Sequence, residues 1–500
     1  MSEQQKQWGV LYVDMSSGQS VTESGIRFDF APGCSLLDLL KAAVKHTPVN
    51  RVYLCGDLPA GYLEWLTAPE MYKYWRTQKI GHMLDGNNQD DYVARYEHRV
   101  SGKKLDIRSI ERWIGDHAVS IFEARSAMLL LTQYVRGLFP LFSHLSGTPA
   151  STFEVLWQQY NALEKKTFSP LPENIRAALH ETGQGRIEYL EDNCNRAIPG
   201  LYYYDGIFMY AALTWDLPTE IETHDTKDSY AGKQLARYRI RFTVPHHWPH
   251  IGPFGVREGE RWIYPGLYYR GQTFESWVDG AELDALLQVY SVYFTGKSVF
   301  MDWDITILER IVYKSGKDSA ASRPLDGVIN KLVKLREKIE EDGKQDAKHA
   351  RAYQLARAGM RNIVLHGIGG FNRQAGTRTY IGMAQEMPPA GFIDRNELDD
   401  GRIIYILPES TEATRFSHPE WPACVWGRCR ARMFKHAMAV PYESLITIRT
   451  DAIAVTQRMA AWENGKKTGE LRRKWAVEKR LNAPRTAQDF DTLQRKVTEK

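Results

Sequence analysis

Two acidic residues, each inside an apolar run typical of a buried β-strand, constrain the fold of this chain more than any other sequence feature. Asp205 lies in the run Gly200-Leu-Tyr-Tyr-Tyr-Asp-Gly-Ile-Phe-Met-Tyr210, and Asp451 lies in the run Ser444–Thr456. A carboxylate at the end of a buried strand costs free energy unless it is paired or binds a cation. Two such acids on one sheet can hold two divalent metal ions. The alternative for Asp205 is that it caps the helix that follows.

The composition is that of an ordinary soluble globular protein. The chain has 500 residues, of which 43% are hydrophobic and 25% are charged, so we expect two to four domains with substantial cores. Its five cysteines include no C-x-x-C pair, which favours a reducing compartment and argues against a zinc knuckle. The sequence begins without a signal-peptide pattern and contains no run of about 18 apolar residues. These features predict a cytoplasmic protein without membrane contacts.

Hydrophobic periodicity predicts alternating strands and helices in the N-terminal part, then helices and strands in mixed order. Residues 68–118 are polar and predicted to be irregular, and the turn-forming residues 181–186 predict the main domain boundary. The basic segment 466–480 is expected to form either a solvated helix face or a nucleic-acid contact. The other predicted strands are 8–14, 51–57, 236–244 and 403–407, and the predicted helices are 36–44, 118–138, 281–290, 325–341, 346–366 and 424–439.

A second motif combines two cations with a glycine-rich helix end. Arg357 and Arg361 lie one helical turn apart, and the segment Gly367-Ile-Gly-Gly370 follows them. Cations with this spacing can grip the β- and γ-phosphates of a nucleotide, and glycines let a base pair approach the backbone. The glycines follow a helix rather than a strand, so the segment is neither a Rossmann fingerprint nor a P-loop.

In order along the chain, these motifs resemble those of the family B DNA polymerases, particularly their protein-primed phage and plasmid branch. The family motif D-x-x-S-L-Y-P resembles Asp205–Ala211, which keeps the acid and Tyr210. The motif K-x6-Y-G resembles Arg361–Gly369, with Arg in place of Lys and Ile in place of Tyr. The motif D-T-D-S resembles Arg449–Ala452, which keeps the second acid. The resemblance covers about residues 180–480.

A further family motif, Y-x-G-G, joins the exonuclease to the palm and touches the template strand. It resembles the segment that contains Gly183, Gly185 and Arg186. The resemblance therefore implies that these three residues contact DNA. Within a polymerase-like palm, Lys474 and Trp475 of the basic segment are expected to contact DNA as well, because phosphate neutralisation needs positive charge.

The resemblance implies an α+β fold, in which a ribonuclease-H-like, exonuclease-type N-terminal domain precedes a polymerase domain with an antiparallel palm sheet and helical fingers. The implied divisions are the exonuclease-like domain at 1–180, the palm at 181–270 and 376–480, the fingers at 271–375 and a short tail at 481–500.

The activity implied by the resemblance is template-directed addition of a deoxynucleotide to a 3′-OH. Asp205 and Asp451 would hold two Mg²⁺ ions, with Mn²⁺ as an alternative, and Arg361 with Arg357 and Gly369 would bind the incoming nucleotide. Tyr210 would lie under the sugar and exclude a 2′-OH. The implied partners are template and primer DNA, deoxynucleotides and, for the protein-primed branch, a terminal or priming protein.

Three departures from the family pattern favour a different class of protein. Arg449 replaces an acid and adds a positive charge where Mg²⁺ would bind. Ile368 replaces a base-stacking tyrosine, and the last 20 residues are too short for the family's thumb. The alternative is a non-catalytic, DNA-binding replication-initiation factor built on a decayed polymerase fold.

The N-terminal domain lacks the D-x-E strand that begins a proofreading exonuclease site. The matching strand gives Asp14-Met-Ser, and Asp57 is the only other acid at a convincing strand end. We therefore expect a decayed exonuclease domain without nuclease activity. A third hypothesis, a nuclease that uses these acids, is opposed by their small number.

Overall fold

The structure, a computed structural model, describes most of the chain. The described residues are 9–45, 49–56, 65, 69–82, 92–115, 119–164, 167–180, 183, 185–194, 196–232, 235–259, 261–293, 298–314, 323–372, 378–383, 393–397, 402–407 and 416–498. The strands are β1 (Gly9–Asp14), β2 (Gln19–Thr22), β3 (Arg27–Asp29), β4 (Val49–Cys55), β5 (Trp75–His82), β6 (Tyr92–His98), β7 (Lys104–Ser109), β8 (Ile187–Tyr189), β9 (Ala197–Ile198), β10 (Leu201–Gly206), β11 (Ile221–Asp225), β12 (Ala236–Thr243), β13 (Val256–Glu258), β14 (Arg261–Ile263), β15 (Thr273–Asp279), β16 (Thr306–Tyr313), β17 (Arg378–Met383), β18 (Ile393–Glu397), β19 (Arg402–Leu407), β20 (Leu445–Arg449), β21 (Ala452–Val455), β22 (Leu471–Val477) and β23 (Leu481–Asn482).

The helices vary from single turns to more than five turns. They are α1 (Leu36–Val44), α2 (Pro69–Tyr72), α3 (Glu111–Ile114), α4 (Ile121–Leu138), α5 (Pro149–Leu163), α6 (Glu173–His180), α7 (Glu191–Cys194), α8 (Met209–Ala212), α9 (Gly280–Tyr293), α10 (Val299–Asp302), α11 (Asp326–Gln345), α12 (Ala350–Gly370), α13 (Glu420–Met438) and α14 (Ala487–Thr498), with 3₁₀ turns at Leu267–Tyr269, Ala347–His349, Tyr442–Ser444 and Ala460–Trp462. None of the helices in the described part of the chain is long and apolar enough to cross a membrane.

The chain forms two compact units. Unit 1 comprises residues 1–165 and 328–414, and unit 2 comprises residues 166–327 and 415–500. Unit 1 contains a seven-stranded mixed sheet in the order β3-β2-β1-β4-β7-β6-β5. Its central strands β1, β4 and β7 are parallel, and the strands on either side are antiparallel. Helix α1 packs its leucines on this sheet in one continuous core.

Four long helices complete unit 1 beside a small three-stranded sheet, β17-β19-β18. Helix α12 packs against α4 and α5, and its glycines permit the close approach. A Cβ at Gly367 would lie 2.2 Å from the ring of Phe153, and a Cβ at Gly359 would lie 2.8 Å from Leu131. Helix α4 begins at a capping box formed by Ser120 and Glu123, which satisfies two backbone N–H groups of its first turn.

Unit 2 is built on two antiparallel sheets. The first has five strands in the order β22-β10-β21-β20-β8, and the second has four in the order β11-β16-β12-β15. Helix α13 packs against α9, where Arg430 of α13 forms a buried ion pair with Glu282 of α9. Helix α14 covers one face of the five-stranded sheet and packs Phe490 against both Tyr203 and Trp475. The predicted antiparallel sheet that carries both strand-end acids is therefore present.

Two predictions about secondary structure are wrong. The segment 68–118, predicted to be irregular, contains α2, α3 and the strands β5, β6 and β7. The basic segment after residue 466, expected to be a helix face if it was not a DNA contact, contains strand β22. In both segments, pairing with neighbouring strands decides the conformation, and pairing is a non-local interaction that polar composition does not report.

Candidate active site

The two strand-end acids come together at a tight hairpin in unit 2. Strands β20 and β21 pair antiparallel up to Arg449 and Ala452, so Thr450 and Asp451 alone form the connecting loop. Strand β10 lies beside β21, and Asp205 is the direct partner of Ala452. The backbone N–H of Gly206 donates a 2.9 Å hydrogen bond to the carbonyl oxygen of Asp451. Asp205, at the end of β10, and Asp451, in the loop before β21, are therefore neighbours along the backbone.

Thr450 adopts an unusual backbone conformation that fixes the hairpin tip. Its φ of 59° lies in the left-handed region, which is costly for a β-branched residue and persists only when the surroundings enforce it. Its N–H donates a 2.7 Å hydrogen bond to the carbonyl of Arg186. Its hydroxyl lies 2.7 Å from the Arg449 carbonyl and 3.0 Å from Oδ1 of Asp451, and its single proton can be donated to either. These contacts restrain the backbone next to Asp451.

Gly185 and Tyr210 pack against this hairpin tip. A Cβ at Gly185 would lie 2.7 Å from Cγ2 of Thr450 and 3.3 Å from the Tyr210 hydroxyl, so only glycine fits there without displacement. Tyr210 belongs to α8, which begins just after β10, and its side chain is partly buried. Burial raises the pKa of Tyr210, and the carboxylate of Asp451 raises it further. The phenol is therefore protonated at neutral pH and lies within electrostatic range of one of the two acids.

The carboxylates of Asp205 and Asp451 both raise the pKa of the Tyr203 hydroxyl. Burial raises the pKa of Tyr203, Asp205 and Asp451 each raise it further, and Arg449 opposes them. The ammonium group of Lys474 lies 3.1 Å from Oδ2 of Asp205. The acids thus lie in one region of negative potential, and one exposed lysine partly compensates it.

Arg449 is directed toward the C-terminal helix α14. Its Nη1 lies 2.8 Å from Oδ1 of Asp491, and its guanidinium lies 4.6 Å from the centre of the Phe490 ring. The positive charge of Arg449, expected from the sequence to lie beside the predicted metal site, is therefore paired with Asp491 on α14. This pairing weakens the argument that Arg449 prevents cation binding.

Several of the predicted DNA contacts are buried. Arg186 is fully buried, pairs with Glu188 and donates a 2.8 Å hydrogen bond to the Gly252 carbonyl. Trp475 lies in the core of unit 2, and a Cβ at Gly183 would lie 2.9 Å from the Trp262 ring. The side chains of Arg186 and Trp475 therefore pack within unit 2. Lys474 alone among the predicted side-chain contacts is exposed.

The predicted nucleotide-binding arginines lie in unit 1, where the structure adds a third. Arg357 on α12 lies 2.9 Å from Oε2 of Glu340 on α11, and Arg361 is exposed one turn further along. The pKa of Arg336 on α11 is lowered to about 10. Burial is the main cause, and the nearby guanidinium groups of Arg357 and Arg361 lower the pKa further. Three positive charges therefore share one region between α11 and α12.

The glycine-rich end of α12 divides into a packed and an open part. Gly367 contacts α5, as described above, and Ile368 is buried in unit 1. A Cβ at Gly369 would meet no atom of the described residues within 4 Å. Gly369, predicted to bind nucleotide, is thus the glycine that faces open space.

The acids of the N-terminal sheet are engaged by neighbouring groups. The backbone N–H of Ser16 and its hydroxyl donate hydrogen bonds of 2.9 and 2.6 Å to Oδ1 of Asp14. Asp57 lies outside the described residues. No group of three or more His, Cys, Asp or Glu side chains that could hold a metal ion occurs within the described ranges, in either unit.

Sequence reasoning missed Thr450, Arg336 and Asp491. The two-residue loop between two β-branched runs is a recognisable hairpin signal, so Thr450 could have been assigned to the turn. Arg336 and Asp491 carry no sequence signal, because each acts through a partner on another element.

The fold of this chain has counterparts among solved structures. No family model and no curated protein matches the sequence. Solved structures of Phi29 DNA polymerase do match in three dimensions. The ternary complex with primer-template DNA and incoming nucleotide substrates has a TM-score of 0.60 and 13% sequence identity, and the match covers 95% of this chain and 85% of that chain. The binary complex with primer-template DNA has a TM-score of 0.61 and 13% identity over 92% and 81% of the two chains. At this identity the match establishes a shared fold.

Proposed function

We propose that this protein is a template-directed DNA polymerase that adds deoxynucleotides to a 3′-OH by two-metal phosphoryl transfer. The observation that carries the proposal is the Thr450–Asp451 hairpin, which lies beside strand β10 so that Asp205 and Asp451 occupy adjacent positions. Two acids with this placement suit a site that must bind both metal ions and a polyphosphate. The shared fold with Phi29 DNA polymerase supports the same reaction class.

The donor set fits Mg²⁺, with Mn²⁺ as an alternative. Mg²⁺ in phosphoryl-transfer sites is held by one or two carboxylates together with substrate phosphates and water, and does not need an all-protein cage. Asp205 and Asp451 supply the two carboxylates. Bound Mg²⁺ would neutralise charge on the transferring phosphoryl group and on the attacking and leaving oxygens. Thr450 keeps Asp451 oriented through the contact between its hydroxyl and Oδ1 of that acid.

The resemblance assigns nucleotide binding to Arg357, Arg361, Gly369 and Tyr210, and we propose the same roles here. Arg361, Arg357 and the additional Arg336 would hold the triphosphate, because guanidinium groups bind phosphate oxygens in bidentate fashion. Gly369 would allow close approach of the base pair. Tyr210 would lie under the sugar and exclude a 2′-OH.

Primer and template DNA would meet the protein through exposed cations near the hairpin. Lys474 is the first candidate, because its ammonium group is exposed and already contacts Asp205. On entry of a primer terminus, Lys474 would exchange the carboxylate for a phosphate. We further propose that the N-terminal domain gives no proofreading, and that a terminal or priming protein supplies the first hydroxyl.

A second candidate function is a non-catalytic DNA-binding replication-initiation factor. The observation that favours it is the 3.1 Å contact between Lys474 and Asp205, because an ammonium on this carboxylate competes with a metal ion. The two candidates differ in what Lys474 does when metal is added. A catalytic protein requires Mg²⁺ or Mn²⁺ to displace it, and a binding protein keeps the ion pair.

Primer extension tests the proposal directly. The purified full chain is incubated with a labelled primer–template and deoxynucleotides in Mg²⁺ and, separately, in Mn²⁺. The variants are Asp205→Ala, Asp451→Ala and the control Glu478→Ala, which removes an exposed acid that follows β22 in the same sheet. We expect extension by the wild type and by Glu478→Ala, and none by the other two.

The binding alternative predicts a different pattern. DNA binding without extension in either metal, unchanged in both Asp205→Ala and Asp451→Ala, would reject the polymerase and support the initiation factor. Extension that survives Asp451→Ala would show that the hairpin is not the catalytic centre.

A further inference from the structure

A cleft with cationic and aromatic walls lies within unit 1, among α4, α11 and α12. It has a volume of about 590 Å³, within the range of pockets that hold ligands of drug or nucleotide size. Lys331, Lys334 and Lys338 of α11 line one side, and Tyr134 of α4 and Tyr353 of α12 line another. Neither the catalytic acids nor the three arginines discussed above line it.

The three lysines form a row along one face of α11. Their spacing of three and four residues places them on the same side of the helix, over about 10 Å of its length. All three are exposed. The ammonium group of Lys331 lies 4.9 Å from the centre of the Tyr160 ring. Helix α11 also carries several glutamates. The three lysines nevertheless place a row of positive charge on the side of the helix that lines the cleft.

Asp342 is the one acid among the described residues of the cleft lining, and Tyr134 beside it forms a hydrogen bond with it. Asp342 stands one turn beyond Lys338 and accepts a short hydrogen bond from the Tyr134 hydroxyl. This bond fixes the orientation of the Tyr134 ring. The net charge of the lining, three lysines against one carboxylate, therefore remains positive and suits an anion with more than one negative charge.

The opposite wall offers planar and apolar surface. The rings of Tyr134 and Tyr353 are 6.5 Å apart at 74°, and both side chains are partly exposed. Leu130 and Leu138 of α4 extend this wall. Aromatic side chains beside a cationic row are the combination by which proteins bind single strands, since bases stack on rings and phosphates lie on cations.

We propose that this cleft binds a segment of single-stranded nucleic acid, with phosphates along Lys331, Lys334 and Lys338 and a base against Tyr134 or Tyr353. An acidic peptide would satisfy the lysines but would leave the aromatic wall unused. A free nucleotide would use the aromatic wall but would not need a cation row of this length. A single strand uses both features, and the site is independent of polymerase chemistry.

The salt dependence of strand binding tests the lysine row. Binding of a fluorescent oligo(dT) is measured without divalent metal at several salt concentrations, for the wild type and for the triple variant Lys331→Gln, Lys334→Gln, Lys338→Gln. Glutamine keeps the helix propensity of α11. Each phosphate contact contributes about 0.7 to the slope of log K against log salt for single strands. We expect the slope of the triple variant to fall by about 2.

A matched control removes three exposed lysines of unit 1 that lie outside the cleft lining. The variant Lys45→Gln, Lys104→Gln, Lys348→Gln changes net charge by the same amount. It should keep the wild-type slope. Equal slopes for the wild type and the cleft variant, or an equal fall in both triple variants, would overturn the proposal.

Photo-cross-linking locates the base. An oligo(dT) carrying 5-iodouracil is irradiated with the full chain, and the linked peptide is identified by mass spectrometry. We expect linkage to Tyr353 or Tyr134 and at least a tenfold loss of yield in the cleft variant. Linkage to neither tyrosine would overturn the proposal, as would competition by poly-glutamate or a nucleoside triphosphate as strong as competition by oligo(dT). This result does not depend on primer extension, so loss of polymerase activity and failure of the cleft are distinguishable.

Discussion

Unit 1 and unit 2 each contain a sheet that carries acidic residues, and the surroundings of those acids differ. In unit 1, Asp106 of β7 is buried and pairs with Arg108 at 2.7 Å, with Arg95 at 3.7 Å and with Arg51 at 3.9 Å. Asp14 of β1 is held by its own turn. In unit 2, Asp205 contacts one exposed lysine and lies beside a second acid at a strained hairpin.

The comparison shows that an acid in a sheet does not by itself indicate a catalytic site. An acid paired with several guanidinium groups, or capped by backbone N–H groups, has its negative charge compensated within the fold. An acid at a rigid, partly exposed hairpin retains the ability to bind an external cation. The acids of unit 1 should therefore matter for stability and those of unit 2 for activity.

The largest effect expected from this contrast is on catalysis. Asp205→Ala or Asp451→Ala should lower the rate of primer extension by about a thousandfold or more, since metal stabilisation of transition-state charge is worth several kcal/mol. Single-turnover extension in Mg²⁺ measures the change. Asp14→Ala should leave this rate unchanged. If Asp14→Ala lowers extension as strongly as Asp451→Ala, the distinction between the two sheets fails.

The second prediction concerns the free energy of unfolding. Here the acid in the sheet of unit 1 should matter more than the acid in the sheet of unit 2. Asp106→Ala leaves the buried guanidinium groups of Arg51 and Arg108 without their shared carboxylate, and such a loss costs about 3–5 kcal/mol of unfolding free energy. Asp205→Ala, at a partly exposed ion pair, should cost less than about 1 kcal/mol. Urea denaturation compares the variants. A larger loss of stability for Asp205→Ala would contradict the contrast.

Sequence patterns predicted the elements that are stabilised by residues close to one another along the chain. The helix predicted at 36–44 has those bounds in the structure, because its apolar spacing coincides with an N-cap at Ser35 that accepts from the Asp38 N–H. The strands β5, β6 and β22 escaped prediction, since their polar residues are tolerated by sheet pairing.

Within the candidate site, the acids could be predicted from the sequence, but the ion-pair partner of Arg449 could not. Asp205, Tyr210 and Asp451 stand in recognisable motifs. The direction of Arg449 depends on Asp491, which lies on a helix more than forty residues further along the chain. A sequence pattern contains no information about such a distant partner.

The third prediction concerns sugar selection by Tyr210. A hydroxyl at C2′ would need space that the ring fills, and overpacking of this kind costs about 1–3 kcal/mol, roughly 5- to 150-fold in selectivity. Tyr210→Val should raise ribonucleotide use relative to deoxynucleotide use by that factor in single-nucleotide incorporation. Tyr210→Phe keeps the ring and should keep the selectivity. Unfolding of Tyr210→Val, or an unchanged sugar preference, would make Tyr210 a core residue.

The fourth prediction compares two glycines that the sequence analysis assigns to ligand binding, Gly185 to DNA and Gly369 to the nucleotide. Gly185→Ala would force a Cβ to 2.7 Å from Thr450, and we expect it to cost about 1–3 kcal/mol of unfolding free energy. Gly369→Ala, with open space around it inside helix α12, should instead stabilise the protein by about 0.5–1 kcal/mol.

Thermal or urea unfolding measures both changes. Thr450→Ser removes the methyl group that a Cβ at Gly185 would meet, so it should restore part of the stability of Gly185→Ala. If Thr450→Ser gives no recovery, close packing at the hairpin tip is not the reason for glycine at this position.

The smallest effect concerns the turn that holds Asp14. Burial acts to raise the pKa of Asp14, but hydrogen bonds from Ser16 and Ser17 outweigh it, and the pKa is lowered. A carboxyl with a lowered folded-state pKa contributes stability that is present above its unfolded pKa, near 4, and is lost as the pH falls through the folded value. Ser16→Ala should therefore cost about 0.5 kcal/mol at pH 7 and progressively less below pH about 4. Urea unfolding at several pH values measures this difference, and in an Asp14→Asn background it should show no dependence on pH in that range. A cost that persists unchanged at pH 2 would mean that Ser16 stabilises the turn without acting through the Asp14 carboxylate.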